Sequence, residues 1–330
     1  MASLLRRTSA RLLTTSQRWL STSTTDAPLL LSPKQVHELS KSEPVALLDV
    51  SWFMPNSTRD AKVEFINKRL PGAQFLDLDQ VASTHELGLK HMMPEPRVFA
   101  EACGRFGIQP SSQVVIYDSH GVFSSPRALF MFRAFGHQKS SILNGGLPRW
   151  IDEGLPLEGT QPQTPRVTNY AEPILDEHMI RSYEQMVSNS SLDPTKDSSA
   201  ELVLDARSKE RYTGTAAEPR PGLSSGHIPN SFSLPFNTFL QKQISNSDGS
   251  EYTTFLPQDA LRRVLEGSVG HEQAQLIING KKPIVTTCGS GMTAGVLWLG
   301  LRLLGVKNIA LYDESWTGYA MRPSSQIVKN

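Results

Sequence analysis

The sequence predicts an α/β protein built from two similar domains, each a mostly parallel sheet flanked by helices. Three observations carry this expectation. Short apolar runs rich in β-branched residues alternate with helical segments. The same succession of elements occurs twice along the chain. Finally, 330 residues with 38% hydrophobic and 20% charged content are ample chain for two cores.

Taken in order, residues 1–25 hold no acidic residue, while Arg6, Arg7, Arg11 and Arg18 are spread among Ser, Thr, Leu and Ala. That is the composition of a mitochondrial transit peptide, so residues 1–23 are set aside from the fold and the expected location is the mitochondrion, in its matrix. The first domain, residues 24–156, reads as a strand at 45–49, a turn at 70–73, a strand at 114–118 and a helix at 125–136, closing on residues 141–144 and Trp150. Residues 157–178 form a linker whose first part is rich in Pro, Gln and Thr. In the second domain, residues 179–330, the matching pieces are 202–205, 227–230, 284–288 and 293–305, closing on 309–313 and Trp316. Residues 188–199 and 243–254 are polar and read as surface loops.

Composition removes several function classes. A formal net charge of +1, without a basic stripe interleaved with aromatics, points away from nucleic acid. No apolar run approaches the roughly 20 residues that a membrane span needs. With only Cys103 and Cys288, neither a disulfide framework nor a cysteine zinc cluster is available. His85, His91 and His120 lack metal-ligand spacing and read as loop residues. No phosphate-binding glycine loop or dinucleotide fingerprint occurs, so no metal and no organic cofactor is expected. Cys103 shares a helical face with Val98, Phe99, Ala102 and Phe106, which assigns it to the core.

Cys288 is different. It stands where the strand at 284–287 ends, ahead of the loop Gly289, Ser290, Gly291, Met292, Thr293 and a nearly continuous apolar helix. A free cysteine is more often a small buried hydrophobe. Here two glycines let the loop curl so that its N–H groups point at the sulfur, and the positive end of the helix faces the same spot. Such surroundings favour the thiolate, which is the nucleophilic form. The equivalent place in the first half holds Asp118, so only the second domain carries a nucleophile.

Several ordered motifs resemble the two-domain rhodanese family, in particular its mercaptopyruvate-using members. They are Asp205-Ala206-Arg207, Glu210-Arg211-Tyr212-Thr213-Gly214, Glu218-Pro219-Arg220, Gly226-His227-Ile228-Pro229 and Cys288-Gly289-Ser290-Gly291-Met292-Thr293, with SWFMP at 51–55, MFRAFG at 131–136 and GGLPRW at 145–150 in the first half. The resemblance implies sulfane-sulfur transfer through a persulfide on Cys288, held by the loop from Gly289 to Thr293. It places Arg211 and Arg220 on the carboxylate and ketone oxygens of 3-mercaptopyruvate, where a planar fork of donors suits a planar acid. It gives Ser290 a part in proton transfer and Asp60 the place of an acidic partner from the first domain. Where the family often has a histidine linking these two, this chain has Arg69, and Phe123 replaces a tyrosine found in some relatives. An always-charged guanidinium is a poor proton shuttle, so no three-residue relay is expected.

Thiosulfate carries two charges, and the relatives that prefer it have basic residues immediately after their cysteine. Gly289 and Ser290 are neutral, which favours mercaptopyruvate as donor over thiosulfate. The expected acceptor is a thiol, thioredoxin by family resemblance, or cyanide. A cysteine phosphatase would need an arginine closing its loop, and the chain has Ala294 and Gly295 there. A non-enzymatic rhodanese-like scaffold is the other alternative, and the retained Cys288 weighs against it.

Overall fold

The computed structural model describes residues 26–329, and the expected targeting segment at 1–23 lies outside them. The first domain contributes β1 (Leu30–Leu31), α1 (Pro33–Ser42), β2 (Val45–Asp49), α2 (Ala61–Asn67), β3 (Gln74–Phe75), α3 (Pro96–Arg105), β4 (Gln113–Tyr117), α4 (Ser125–Ala134), β5 (Ser140–Leu143) and α5 (Gly146–Asp152). The second contributes β6 (Ile180–Arg181), α6 (Tyr183–Ser190), β7 (Leu202–Asp205), α7 (Lys209–Thr213), β8 (Phe232–Ser233), β9 (Leu240–Ile244), β10 (Glu251–Phe255), α8 (Gln258–Val269), α9 (His271–Ile278), β11 (Ile284–Thr287), α10 (Ala294–Leu303), β12 (Ile309–Tyr312) and α11 (Ser315–Met321).

Each domain has a five-stranded parallel sheet, in the order β1-β5-β4-β2-β3 and β6-β12-β11-β7-β8, so the internal repeat extends to strand order. The central strands are apolar because helices cover both faces. Even the entries match: Ser32 and Ser182 each form a capping box with the glutamine three residues on, satisfying the otherwise orphaned first-turn N–H groups of α1 and α6. The two-residue edge strands have no periodicity of their own and exist because a neighbouring strand offers them a ladder.

Residues 157–176 carry no helix and only a single β-bridge, between Glu158 and Arg69, and they run along the first domain. Arg69 explains part of that course. Its buried guanidinium donates to the Thr160 carbonyl at 2.5 Å and to Glu158 at 3.1 Å, fastening the linker. The stretch expected to be a surface loop at 243–254 is instead mostly an antiparallel hairpin, β9 with β10. Its stability comes from the other domain: Thr253 N–H donates to the His120 carbonyl and Phe255 N–H to Asn144. Partners more than a hundred residues away leave no trace in local composition.

The domains meet along α4 and α10, whose ten residues are all buried in α4 and nearly all in α10. Gly295 permits the contact, since a Cβ there would lie 2.8 Å from the Arg127 backbone nitrogen. Phe130 meets Trp298 edge-on at 5.3 Å, and one continuous hydrophobic cluster runs from Leu48 through both helices to Leu311. Because α4 and α10 each follow the loop at the carboxyl end of a central strand, their packing brings the Asp118 and Cys288 loops to the interdomain seam.

Candidate active site

The two loops show what this turn is built to hold. In the first domain, Asp118 accepts the N–H groups of His120, Phe123, Ser124 and Ser125 at 2.9 to 3.1 Å, and the Ser125 hydroxyl at 2.7 Å. Backbone donors thus converge on a negative charge. In the second domain the same position is Cys288, and Gly291 N–H donates to its Sγ at 3.1 Å. Gly291 (φ +86°) and Gly121 (φ +102°) occupy the corresponding third place after Cys288 and Asp118, where the turn demands a left-handed backbone. The expected ring of donors from Gly289 to Thr293 is thus represented at the sulfur by Gly291. Met292 is buried in the shared core, and Thr293 is the N-cap residue of α10.

α11 staples the cysteine loop from behind. Ser315 Oγ accepts the Cys288 N–H, Trp316 N–H donates to the Cys288 carbonyl, and Thr317 N–H donates to the Gly289 carbonyl. Cys288 is thus fixed through its backbone bonds and only 2% exposed, at the floor of its loop. Cys103 is equally buried but lies within hydrocarbon, where burial pushes its thiol far above the ordinary range and removes it from chemistry.

Arg211 and Arg220 converge on this floor: a Cβ built on Gly289 would lie 3.1 Å from Arg211 Nη2 and 3.8 Å from Arg220 Nη1. Arg211 is aimed by a buried ion network. Asp205 holds Arg207 through Nε and Nη2, Arg207 bonds Glu218 at 2.8 Å, and Glu218 takes the Arg211 fork at 3.1 and 2.5 Å. Arg207 also lies over the Trp316 ring at 4.1 Å. Among the described residues Arg220 forms no ion pair, so its charge is free for an anion. A cleft of about 480 Å³ between the domains is lined by Arg220, Ser290, Met92, Leu223 and Thr317.

Ser290 has partners that sequence reasoning missed. His91 Nε2 lies 2.9 Å from Ser290 Oγ, and His91 Nδ1 lies 2.9 Å from Asp79 Oδ1. A carboxylate only accepts, so Nδ1 carries the proton; in the neutral ring Nε2 then accepts from the serine hydroxyl. Trp52 Nε1 donates to Asp79 Oδ2 at 3.1 Å and its ring meets His91 edge-on. Burial raises the Asp79 carboxyl, but the bonds from His91 and Trp52 outweigh it and leave it below its ordinary value.

These contacts bear on three expectations. Asp60 is the N-cap of α2, its side chain accepting the Val63 N–H at 3.0 Å, and the acid joined to Ser290 through a histidine is Asp79. Arg69 is the linker fastener described above. His91 sits in a loop, as expected, and joins Ser290 to Asp79. The usable signal was length: twenty residues, 76–95, separate β3 from α3 without helix or strand, and connections that long in a compact domain are usually functional.

The rhodanese-like domain pattern matches residues 32–153 and 188–322. The chain belongs to the rhodanese family. It is 38% identical over 288 residues to human 3-mercaptopyruvate sulfurtransferase, covering 87% of this chain and 88% of the relative. It is 34% identical over 318 residues to the Arabidopsis thaliana mitochondrial thiosulfate/3-mercaptopyruvate sulfurtransferase 1, covering 90% and 77%. Among solved structures, the Tum1 protein from Saccharomyces cerevisiae superposes with a TM-score of 0.78 at 29% identity, covering 92% of this chain and 98% of that one. Two rhodanese domains of five parallel strands each, one bearing a cysteine and one an aspartate at the loop, therefore describe this chain.

Proposed function

We propose that this rhodanese-family chain is a sulfurtransferase that takes the thiol sulfur of 3-mercaptopyruvate, releases pyruvate, and passes the sulfur, now sulfane sulfur of a persulfide, to a thiol or to cyanide. The observation that carries the reading is convergence around Gly289 and Ser290: a cysteine at the loop floor, two guanidiniums beside Gly289, and a serine joined through a buried histidine to the exposed carboxylate of Asp79. The guanidiniums suit a keto acid, whose carboxylate and ketone oxygens are planar acceptors.

Chemistry follows from these groups. The Cys288 thiolate attacks the donor sulfur, an S–S bond forms, and the C–S bond breaks with its electron pair going to carbon as the enolate of pyruvate. That enolate needs one proton, which comes from the donor thiol: the S–H proton passes through the Ser290 hydroxyl to His91 Nε2, whose ring Asp79 holds, and returns by the same path to the enolate carbon, leaving pyruvate and a persulfide anion. The persulfide remains on Cys288 beside the Gly291 N–H. An acceptor thiolate then attacks the outer sulfur and returns Cys288 as thiolate, which divides one difficult transfer into two steps. Thiosulfate is a slower donor in this reading, because Gly289 and Ser290 add no positive charge next to the sulfur. Family resemblance suggests a thioredoxin-class thiol as acceptor, and the arginine-rich, acid-free first 25 residues support a mitochondrial location. The catalytic unit comprises residues 179–330, with residues 24–156 supplying the relay.

Intact mass after incubation with 3-mercaptopyruvate tests the reading. One added sulfur atom that disappears in Cys288→Ser is expected, and pyruvate must appear in equal amount. Arg220→Ala should raise the KM for mercaptopyruvate about 10-fold or more, the effect of losing one charged contact. A chain that gains no sulfur, or a higher specificity constant with thiosulfate, overturns the assignment of donor and reaction.

A further inference from the structure

The relay histidine belongs to one domain and the serine it serves to the other, so something must hold both in register. We propose that Arg127, paired with Asp313 across the domain boundary, is the positioning residue for the His91–Ser290 relay; this rests on the sulfur-transfer reading above.

Arg127 stands in the first turn of α4 and is 2% exposed. Its Nη2 donates to the His91 carbonyl at 2.8 Å and to Asp313 Oδ1 at 2.5 Å. Asp313 follows β12 in the second domain, and its other oxygen accepts the Met93 N–H at 2.8 Å. A single interdomain ion pair therefore grips the segment 91–93 at both ends, the carbonyl of His91 from one side and the amide of Met93 from the other. The segment needs gripping. His91 has φ 45°, a left-handed backbone that L residues adopt only where the surroundings impose it.

The same guanidinium also reaches the cysteine loop. Nη1 is buried without a hydrogen-bond partner, and it would lie 3.4 Å from a Cβ on Gly291, the residue whose N–H meets Cys288 Sγ. An ion pair serving only to join domains has no reason to leave a buried donor unpaired against that loop. One planar group thus references the relay histidine and the nucleophile loop to each other. Arg127 touches no substrate in this account; it acts through His91.

A double-mutant cycle on persulfide formation from 3-mercaptopyruvate, followed in a single turnover by intact mass, tests this. His91→Asn is expected to slow the step about 100-fold, the scale of a lost proton relay, and Arg127→Met about 10-fold with KM little changed. If Arg127 acts through His91, Arg127→Met costs less than about 2-fold in the His91→Asn background. Costs that multiply in the double variant, or an Arg127→Met enzyme as fast as wild type, overturn the proposal. Should thermal melts show Arg127→Met unfolded, Arg127→Lys, which keeps the charge and loses the fork, carries the same cycle. A wild-type chain that forms no persulfide sinks the sulfur-transfer reading itself, whereas an active wild type with multiplying costs sinks only the role of Arg127.

Discussion

Two glycines in the Cys288 loop should fail in opposite ways when given a methyl group. Gly289 has an ordinary backbone, so Gly289→Ala adds bulk without strain; its Cβ would lie 3.1 Å from Arg211 Nη2 and 3.8 Å from Arg220 Nη1. Because Glu218 pins Arg211 by two bonds, the guanidinium yields only by a few tenths of an ångström, and the substrate must move instead. A displacement of that kind costs about 10-fold to 100-fold in kcat/KM, or ~1.4 to ~2.7 kcal/mol of transition-state stabilisation, with Tm nearly unchanged. Gly291 lies at φ +86°, and its Cβ would meet the backbone oxygen of Asp313 at 2.9 Å, an atom that no rotamer change can move. Gly291→Ala should therefore cost about 1–2 kcal/mol of backbone strain at the least, lowering Tm by about 2–8 °C. Pyruvate release from 3-mercaptopyruvate, coupled to NADH oxidation, reads the first effect, and a circular-dichroism melt reads the second. If Gly289→Ala keeps kcat/KM within about twofold of wild type, the placement of the keto acid between the two guanidiniums is wrong.

Two further outcomes concern the first domain. Burial raises the Asp49 carboxyl to about 7, partly offset by bonds from Ser51. The folded state therefore holds that proton where the unfolded chain, titrating near 4, has lost it; stability falls as pH rises from about 4 to about 7 and is level above. Asp49→Asn should flatten that decline in urea melts at pH 5 and pH 8, and an unchanged slope would discredit Asp49 as its source. Asp118→Ala would strand four backbone N–H groups and the Ser125 hydroxyl, which should cost on the order of 3 kcal/mol while the folded fraction keeps its rate of sulfur transfer. A melt within about 1 °C of wild type would mean that loop is not an anion cradle.

What the amino-acid order determined by itself is the part written in local chemistry. Apolar runs at 45–49, 114–117, 202–205 and 284–287 mark buried strands, and each is followed within its own half by the helix that covers it. A cysteine between strand and helix, with Gly291 three places on, marks the loop, because loop curvature and helix polarity are set by a few adjacent residues. Arg211 and Arg220 entered through motif likeness and meet at Gly289 because Asp205, Arg207 and Glu218, parts of the same motifs, aim Arg211 there. The relay is another matter. Asp79, His91 and Ser290 share no element, no periodicity and no spacing rule; Ser290 lies 199 positions from His91 and reaches it only because α4 and α10 pack at the seam. Family resemblance points to Asp60 as the acid, yet its carboxylate caps α2, a use that only coordinates reveal. Local pattern specifies what a residue can do, and the partner it does it with is set by side chains brought together when two separately legible halves close on one core.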